Sequence, residues 1–418
     1  MISLEFLRKN PKIVQEGIEA KGILFDLNQF LKIDKERLSL LHFLEEKRRE
    51  KNKWEKEFRE KKGKGELLAK MREIDREVDF LEKKFKEIDE KWQYLYSLIP
   101  NIPLPSVPRG KDERENVVLR EVGEKKKFDF PPKSYLKIAE KLDLIDTKRS
   151  AKTSGTRFCF LKGKLVSLQQ ALVNFVFDFL KKEGFLPLVV PVMIKPEMMW
   201  GMGYLQRPLA DKKWEDPETF FLRDDDLVLV ATAEQSIGSM HAQEIFHEKE
   251  LPKRYFALSP CFRREAGSYG KDTKGILRVH QFDKIEMFSF QKEEESEKEH
   301  SYFLSLEEKM MQSLNIPYRV LQICTGDLGM VAVAKYDIEA YFPSENKYRE
   351  THSTSNCTDF QSRRLKIRYK NREGKIKYVH MVNGTAFAMG RILAAIIENY
   401  QNKQEDFDIP EVLKKYLI

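Results

Sequence analysis

The sequence predicts an α+β protein in which a long antiparallel helical hairpin precedes a domain that combines antiparallel strands with helices. An apolar heptad repeat in residues 66–98 predicts one helix of the hairpin. Residues 255–290 predict two antiparallel strands joined by a glycine-rich, basic loop. A proline-rich stretch separates these two parts of the chain.

The hairpin is predicted to occupy residues 1–100. Its second helix carries apolar residues at alternating steps of four and three, namely Leu67, Met71, Ile74, Val78, Leu81, Phe85, Ile88, Trp92 and Leu95. A matching upstream run consists of Phe30, Ile33, Leu40, Leu44, Trp54 and Phe58. The glycines within residues 61–66 permit a turn between the two helices. Lys47 and Lys51 interrupt the seam, but their aliphatic stems can cover it while their ammonium groups reach solvent.

The outer half of this arm is basic. Residues 47–64 contain ten Lys or Arg against four Glu. Such a run usually marks a solvated helix face. A two-helix arm is too thin to enclose an active site, so its basic half also suits the backbone of an RNA. Both interpretations remain open at this point.

Composition limits the class of protein. The 418 residues carry a formal charge of +8, and the longest apolar runs fall short of the roughly 18 residues that span a bilayer. The four cysteines lie far apart, which disfavours a disulfide framework or a zinc site. The N-terminus lacks the features of a secretory signal. We therefore expect a cytoplasmic protein that is not attached to a membrane.

Residues 101–117 are predicted to be a proline-rich linker, and residues 118–418 to form the second domain. Helices are expected at residues 133–145, 165–182 and 292–314. Strands are expected at residues 157–161 and 226–236, with an edge or irregular strand at 183–194, where two prolines limit pairing. Near the C-terminus, Asn383 and Thr385 are expected on one strand face, with Gly384, Ala386, Ala388 and Gly390 on the opposite, wholly small face.

The predicted strand pair within residues 255–290 carries chemistry on one face. Strict alternation places Arg263 and Glu265 together on the first strand, and Arg278, Phe282 and Glu286 together on the second. Burying lone charges costs several kcal/mol, so this face must meet solvent or a charged ligand. Arginine forks suit phosphate, and an aromatic face suits a nucleobase.

The string FRREAGSYGKDTKGILRVHQFDKIE in this region resembles motif 2 of class II aminoacyl-tRNA synthetases, in the form found in seryl-tRNA synthetases. Five further segments resemble the same family: the proline-rich linker, EGFLPLVVPVMI as motif 1, the TAE tripeptide at 232–234, residues 335–364, and VNGTAFAMGR as motif 3. The resemblance covers essentially the whole chain. It implies a catalytic domain built on a mostly antiparallel sheet flanked by helices, and an N-terminal coiled-coil arm that binds tRNA.

The resemblance also implies site residues. Those expected to act in catalysis are Arg263, Arg278 and Arg391. Those expected to bind serine are Thr232, Ala233, Glu234, Arg263, Glu286, Asn383 and Thr385. Those expected to bind ATP are Arg263, Arg264, Glu265, Arg278, Val279, Phe282, Glu350, Thr351, His352, Ser353 and Arg391. Within this set, Glu350 and Ser353 are expected to hold Mg²⁺, and Arg391 to stack on adenine opposite Phe282.

The implied reaction is ATP-dependent activation of L-serine to seryl-adenylate, followed by transfer of serine to the 3′ end of tRNA(Ser), with tRNA(Sec) as a further candidate. A homodimer is implied, with Pro191 at its interface. Departures from the family pattern occur in residues 200–221, at Ala386 and Phe387, and at His352. Two alternatives are an aminoacyl carrier-protein ligase, which would lack the arm, and a catalytically inactive RNA-binding paralogue, which would have broken motifs.

Overall fold

The structure, a computed structural model, describes residues 1–60, 65–208, 212–267 and 274–417. Its helices are α1 Leu4–Lys9, α2 Pro11–Ala20, α3 Leu27–Glu60, α4 Gly65–Leu98, α5 Tyr135–Lys141, α6 Thr147–Ser154, α7 Lys164–Lys182, α8 Pro196–Met202, α9 Ala233–Ser239, α10 Ser296–Ser313, α11 Phe360–Leu365, α12 Met389–Asn399 and α13 Glu411–Lys414. Within these residues, no helix combines the length and the hydrophobicity that crossing a membrane requires.

The strands are β1 Val117–Val122, β2 Ile145–Asp146, β3 Phe160–Leu161, β4 Leu186–Leu188, β5 Met193–Ile194, β6 Val228–Leu229, β7 Ile245–His247, β8 Lys253–Phe262, β9 Gln281–Gln291, β10 Tyr318–Gln322, β11 Ala334–Phe342, β12 Lys347–Thr358, β13 Arg368–Lys370, β14 Ile376–Tyr378 and β15 His380–Ala388. The main sheet has eight strands in the order β1-β10-β11-β12-β15-β9-β8-β4. All neighbours in it are antiparallel except β4 and β8.

Helices α3 and α4 form the predicted hairpin, and each would extend about 50 Å at 1.5 Å per residue. Leu44, Ile74 and Val78 are buried between them, as the heptad seam requires. The two interrupting lysines reach outward, where Lys47 Nζ lies 2.7 Å from Glu77 and Lys51 Nζ lies 2.6 Å from Asp75. The turn predicted around residues 61–64 lies outside the described residues.

The inner end of the hairpin has its own core. There α1 and α2 pack on α3 and α4, and Phe30 stacks on Tyr96 with ring centroids 5.9 Å apart. Asp34 is buried beneath this core, but Arg8 and the indole of Trp92 both donate hydrogen bonds to it. A buried carboxylate with charged and neutral donors is compensated, so this end of the hairpin is firmly built. We call it the arm base.

Helices α7, α10 and α12 cover one face of the main sheet and supply its largest apolar core. Gly384 of β15 permits the close approach of α10, because a Cβ atom there would lie 3.0 Å from the Phe303 ring. The broad apolar face of α7 explains its burial, as predicted. The edge position of β4 also agrees with the prolines of residues 183–194.

Two predicted strands are wrong in extent. The strand expected over residues 157–161 is limited to Phe160–Leu161. The strand expected over residues 226–236 is limited to Val228–Leu229, and the chain then enters α9. Thr232 is the N-cap of that helix, and its hydroxyl accepts a hydrogen bond from the Glu234 N–H at 3.3 Å. A threonine cap therefore ends the valine run and starts a helix.

Candidate active site

A cavity of about 710 Å³ opens on the face of the main sheet away from α10 and α12, beside the start of α12. Its walls come from β9, β12, β15, the segment that follows β8, and residues 328–332. Most sequence-predicted residues line it: Thr232, Glu234, Arg263, Glu265, Arg278, Val279, Phe282, Glu286, Glu350, Thr351, Ser353, Asn383, Thr385 and Arg391. Segments far apart in sequence thus contribute to one site.

Three predicted residues lie elsewhere. Ala233 is buried in an apolar cluster at the start of α9. The guanidinium of Arg264 lies over the Phe220 ring, 5.6 Å from its centroid. His352 is 1 % exposed and its ring meets Phe387 in the core. Side-chain alternation along β12 explains why His352 does not reach the cavity, because its side chain faces away from those of Thr351 and Ser353, which line it.

Two of the three arginines of the cavity are paired with carboxylates. Arg278 Nε lies 3.4 Å from Glu265, and Arg391 Nη1 lies 3.0 Å from a carboxylate oxygen of Glu350. Arg263 reaches into the same space with its guanidinium 5.2 Å from the centre of the Phe282 ring. We call Arg263, Arg278 and Arg391 the arginine group. Three forked cations beside one aromatic ring can bind a polyphosphate that carries a base.

Glu350 is held ionised by this group. Burial by itself would raise its pKa, but Arg391 and then Lys335 outweigh burial, and the pKa of Glu350 is lowered. Its side chain is 43 % exposed, and this exposure is toward the cavity that it lines. Behind it, Ser353 pairs across the strands with Asp337, whose pKa is raised by burial. The cavity therefore presents an ionised carboxylate and a hydroxyl close together in sequence.

A β-bulge explains how Glu350 and Ser353 reach the same cavity. Residues three apart in a regular strand point to opposite faces. Between Ile338 and Glu339 of β11 the register with β12 shifts, so that Ile338 pairs with His352 but Glu339 pairs with Glu350. Thr351 is the extra residue. The extra residue reverses the alternation of the side chains that precede it. Glu350 therefore points to the same face of the sheet as Ser353.

A second bulge acts in the same way on β15. The register with β9 shifts between Thr385 and Phe387, which makes Ala386 the extra residue. Phe387 and Ala386 are fully buried, whereas Ala388 lines the cavity together with Asn383 and Thr385. The expected small face is therefore wrong for Ala388, because the bulge breaks the alternation on which that expectation depended. It is also wrong for Gly390, which lies in α12 and lines the same cavity.

The other group of side chains is acidic and almost fully enclosed. Glu234 is 4 % exposed and Glu286 is 2 % exposed. Glu234 accepts hydrogen bonds from Tyr204 at 2.6 Å and from Gln361 and Asn383 at 3.1 Å each. Lys284 forms an ion pair with Glu286. We call Glu234 and Glu286 the acidic pair.

Glu234 has an unusual protonation equilibrium. Burial and the neighbouring charge of Glu286 raise the pKa of Glu234 to about 7, even though the hydrogen bond from Tyr204 acts in the opposite direction. A small ammonium ion placed between the two carboxylates would favour the ionised form of Glu234. Thr232 and Asn383 beside them supply a hydroxyl and an amide. This arrangement fits a small amino acid.

Sequence reasoning missed several contributors to this part of the cavity. Tyr204 and Gln361 donate directly to Glu234, and Lys284 neutralises Glu286. Residues 328–332 supply a further wall. Gln361 was an available signal for this site, because it is a polar residue one turn before Arg364 in the short helix α11. Tyr204 lies in the loop that departs from the family pattern, where no signal marks it.

Comparisons with known families agree with this geometry. The family described as "Seryl-tRNA synthetase N-terminal domain" matches residues 1–103. The family described as "tRNA synthetase class II core domain (G, H, P, S and T)" matches residues 219–400. A serine--tRNA ligase of Thermodesulfovibrio yellowstonii is 40% identical over 425 residues, which cover 100% of this chain and 99% of the relative.

Two solved structures are also similar over nearly the whole chain. Seryl-tRNA synthetase from Pyrococcus horikoshii, complexed with ATP, superposes with a TM-score of 0.90 at 40% identity and covers 100% of this chain and 98% of its own. The cytoplasmic serine-tRNA ligase from Naegleria fowleri, in complex with AMP, superposes with a TM-score of 0.84 at 32% identity, covering 99% and 95%.

Proposed function

The chain belongs to the seryl-tRNA synthetase family, and from this premise we propose that the arginine group binds ATP while the acidic pair binds L-serine. The protein is an ATP-dependent ligase that activates serine and charges tRNA with it. Neither alternative, the carrier-protein ligase or the inactive RNA-binding paralogue, is favoured by the relatives. The observation that supports our assignment is the joining, in one cavity, of three arginines and two enclosed carboxylates.

The proposed first step needs no side-chain nucleophile. The carboxylate of serine attacks the α-phosphorus of ATP, the bond to the bridging oxygen breaks, and pyrophosphate leaves. Arg263 would stabilise the charge that develops on the α-phosphate. Arg278 and Arg391 would hold the outer phosphates, and Glu265 and Phe282 would position adenine, with Val279 and Thr351 as further contacts. Catalysis would come from positioning and charge stabilisation.

The acidic pair would recognise serine through its ammonium group, with Asn383, Thr385 and Thr232 available for the hydroxyl. A site that hydrogen-bonds a substrate hydroxyl rejects analogues without it far better than an apolar pocket rejects an extra methylene. In the second step, the terminal ribose of the tRNA would take serine from the adenylate and release AMP. Both substrates of that step would meet in the same cavity.

We also propose Mg²⁺ as the accompanying metal, held by Glu350 and Ser353. Among the described residues, no group of three or more His, Cys, Asp or Glu side chains is arranged to hold a metal ion by itself. An oxygen-only pair suits a hard cation that keeps water and phosphate ligands, and Arg391 and Lys335 keep Glu350 ionised. When bound, the ion would neutralise charge on the ATP phosphates.

The chain is proposed to divide into an arm at residues 1–100, a linker at 101–117 and a catalytic domain at 118–418. The basic arm would contact tRNA(Ser), with tRNA(Sec) as a further candidate that a charging assay would test. A cytoplasmic location is proposed with it.

A homodimer is proposed through the edge strand β4 and the residues that follow it. Val189 is fully exposed, Leu186 is 57% exposed and Met193 is 46% exposed. These side chains form an apolar strip beside Pro191, along the sheet edge that β4 forms among the described residues. Exposed apolar strips of this kind mark interfaces. Sedimentation should give twice the chain mass, and a monomer at micromolar concentration would contradict the proposal.

The test of the activation step is exchange of labelled pyrophosphate into ATP without tRNA. Exchange with serine, and little with threonine, alanine or glycine, is the expected result. Exchange with alanine or glycine would favour a carrier-protein ligase. A folded protein that shows no exchange with Mg²⁺ present would contradict the proposed site.

A further inference from the structure

The arm base and the acidic pair are joined by short chains of buried hydrogen bonds. The first begins at Lys21, which caps the C-terminus of α2 and is 6 % exposed. Its ammonium group donates to the carbonyl oxygens of Gly329 and Ala332, at 2.7 Å each. Both acceptors belong to residues 328–332, which form a wall of the cavity. Lys21 thus fixes that wall to the arm base.

Asn101 strengthens the same connection just after the arm ends. Its N–H donates to Met330 O at 2.9 Å, and its side chain donates to Val331 O at 3.0 Å and Cys357 O at 2.9 Å. Cys357 lines the cavity, and its sulfur accepts from Asn383 at 3.5 Å. One residue therefore connects the wall to Cys357 of β12, which in turn accepts the hydrogen bond from Asn383 on the neighbouring strand β15.

The second chain runs through the short helix α11. Arg364 donates to Ser97 O, at the end of α4, at 2.9 Å, and to Trp200 O at 2.8 Å. One turn earlier on the same helix, Gln361 donates to Glu234 at 3.1 Å and to Met202 O at 3.0 Å. The last turn of the arm and Glu234 of the acidic pair are thus held by the two ends of one helix.

Burial makes these contacts consequential. Arg364 and Lys21 are both 6 % exposed, so any loosening leaves buried carbonyl groups without donors. The two series of hydrogen bonds end on Glu234, Asn383 and residues 328–332. Arg278 and Arg391, the arginines proposed to bind the outer phosphates, are paired instead with Glu265, which follows β8, and with Glu350 of β12. The connection therefore reaches one half of the cavity selectively.

We propose that Lys21 and Arg364 are positioning residues for serine recognition, through which the arm base sets the geometry of the acidic pair and its neighbouring wall. This inference rests on the proposed function, because it takes the acidic pair to be the serine site. It gives the arm base a role in the first step of the reaction, before any tRNA is bound.

The test is pyrophosphate exchange without tRNA, on the full-length variant Lys21→Met. Methionine keeps most of the side-chain volume but cannot donate. The KM for serine should rise five- to tenfold, while the KM for ATP and the affinity for tRNA in filter binding stay within twofold. Lys12→Met is the matched control, since Lys12 is exposed on the same helix, and it should match the wild type. Lys21→Arg, which restores a donor, should recover part of the loss.

Several outcomes would overturn the inference. A serine KM equal to that of the Lys12→Met control would remove the role of Lys21. Equal increases in both KM values, with a fall in kcat, would indicate general loosening instead of a selective connection. If Lys21→Met fails to fold by circular dichroism, Arg364→Lys should show the same selective change in KM. If the wild-type protein itself shows no serine-dependent exchange, the proposed function is refuted. This outcome is distinguishable from failure of the present inference, which requires an active wild type.

Discussion

The arm and the cavity use charged residues in opposite ways. Along the arm, Lys47 and Glu77 pair at the surface, with side chains 36% and 45% exposed. In the cavity, Glu234 is nearly sealed from solvent and depends on Tyr204, Gln361 and Asn383 for its hydrogen bonds. Exposed pairs can exchange their partners for water at little cost. Enclosed charges cannot, so we expect substitutions in the cavity to have larger and more specific effects.

The largest effect is expected for Arg263→Ala. Removing a preorganised donor to a developing negative charge costs about 3–4 kcal/mol, so kcat in pyrophosphate exchange should fall by roughly 10²–10³-fold. Arg264→Ala is the informative neighbour, because its guanidinium lies over Phe220. The sequence expectation that Arg264 binds ATP predicts a raised KM for ATP, whereas the geometry predicts a change of only a few-fold. A near-normal rate for Arg263→Ala would refute its role.

Glu234→Gln should have the next largest effect. The amide keeps the shape and some hydrogen bonds but removes the charge that faces the ammonium of serine. A hydrogen bond to a charged group contributes about 1.5–3 kcal/mol, which corresponds to a serine KM roughly 10- to 100-fold higher. Glu244→Gln, an exposed carboxylate just beyond α9, is the control. If both variants raise the serine KM equally, the distinction between enclosed and exposed charges is wrong.

The pH dependence of serine binding should follow the ionisation of Glu234. Its pKa in the free protein is raised to about 7, so the ionised form that binds an ammonium ion grows as pH increases from 6 to 8. The serine KM should fall by roughly tenfold over that range. The same raised pKa acts in the opposite direction on folding. As pH rises from the unfolded pKa of about 4.3 to the folded pKa of about 7, the contribution of Glu234 to the free energy of unfolding decreases. A flat KM profile in the wild type would contradict the assignment.

The smallest effect is expected for Lys47→Met in the arm. The exposed ion pair with Glu77 contributes at most about 1 kcal/mol, and methionine can cover the seam as the lysine stem does. Thermal unfolding should therefore change little. By contrast, Leu44→Ala should destabilise the arm by about 2–4 kcal/mol, because Leu44 is 2 % exposed. Equal losses for the two variants would mean that surface charge, and not the seam, stabilises the arm.

The sequence predicts the arm better than the cavity, for a physical reason. A heptad seam is a repeated pattern, and each repeat confirms the last, so both long helices could be predicted from the spacing. The strand pair of β8 and β9 could also be predicted, but its extent was wrong, because β8 ends at Phe262 and β9 begins at Gln281. Arg263, Glu265 and Arg278 therefore lie beyond the strand ends and not on a regular strand face. The part of the cavity proposed to bind serine depends instead on single positions where regular structure is interrupted, such as a helix cap or a β-bulge.

The region around Glu234 illustrates the limit. The run of valines suggested a strand through Ser236, yet Thr232 and Gln235 have the spacing of a helix-capping pair. In the structure Gln235 accepts a hydrogen bond from the Ala231 N–H at 2.7 Å, and Thr232 caps the helix. That signal was present in the sequence. The two bulges have no comparable sequence signal, since Thr351 and Ala386 are residues that regular strands also contain.

The bulge at Thr351 matters for anyone who would graft this site onto another scaffold. A designer who copied Glu350 and Ser353 onto an ideal strand would obtain two side chains on opposite faces. The portable unit is the strand together with its extra residue and the shifted partner strand. Deleting Thr351 to regularise the sheet would keep both proposed Mg²⁺ ligands in the sequence while pointing one of them into the core.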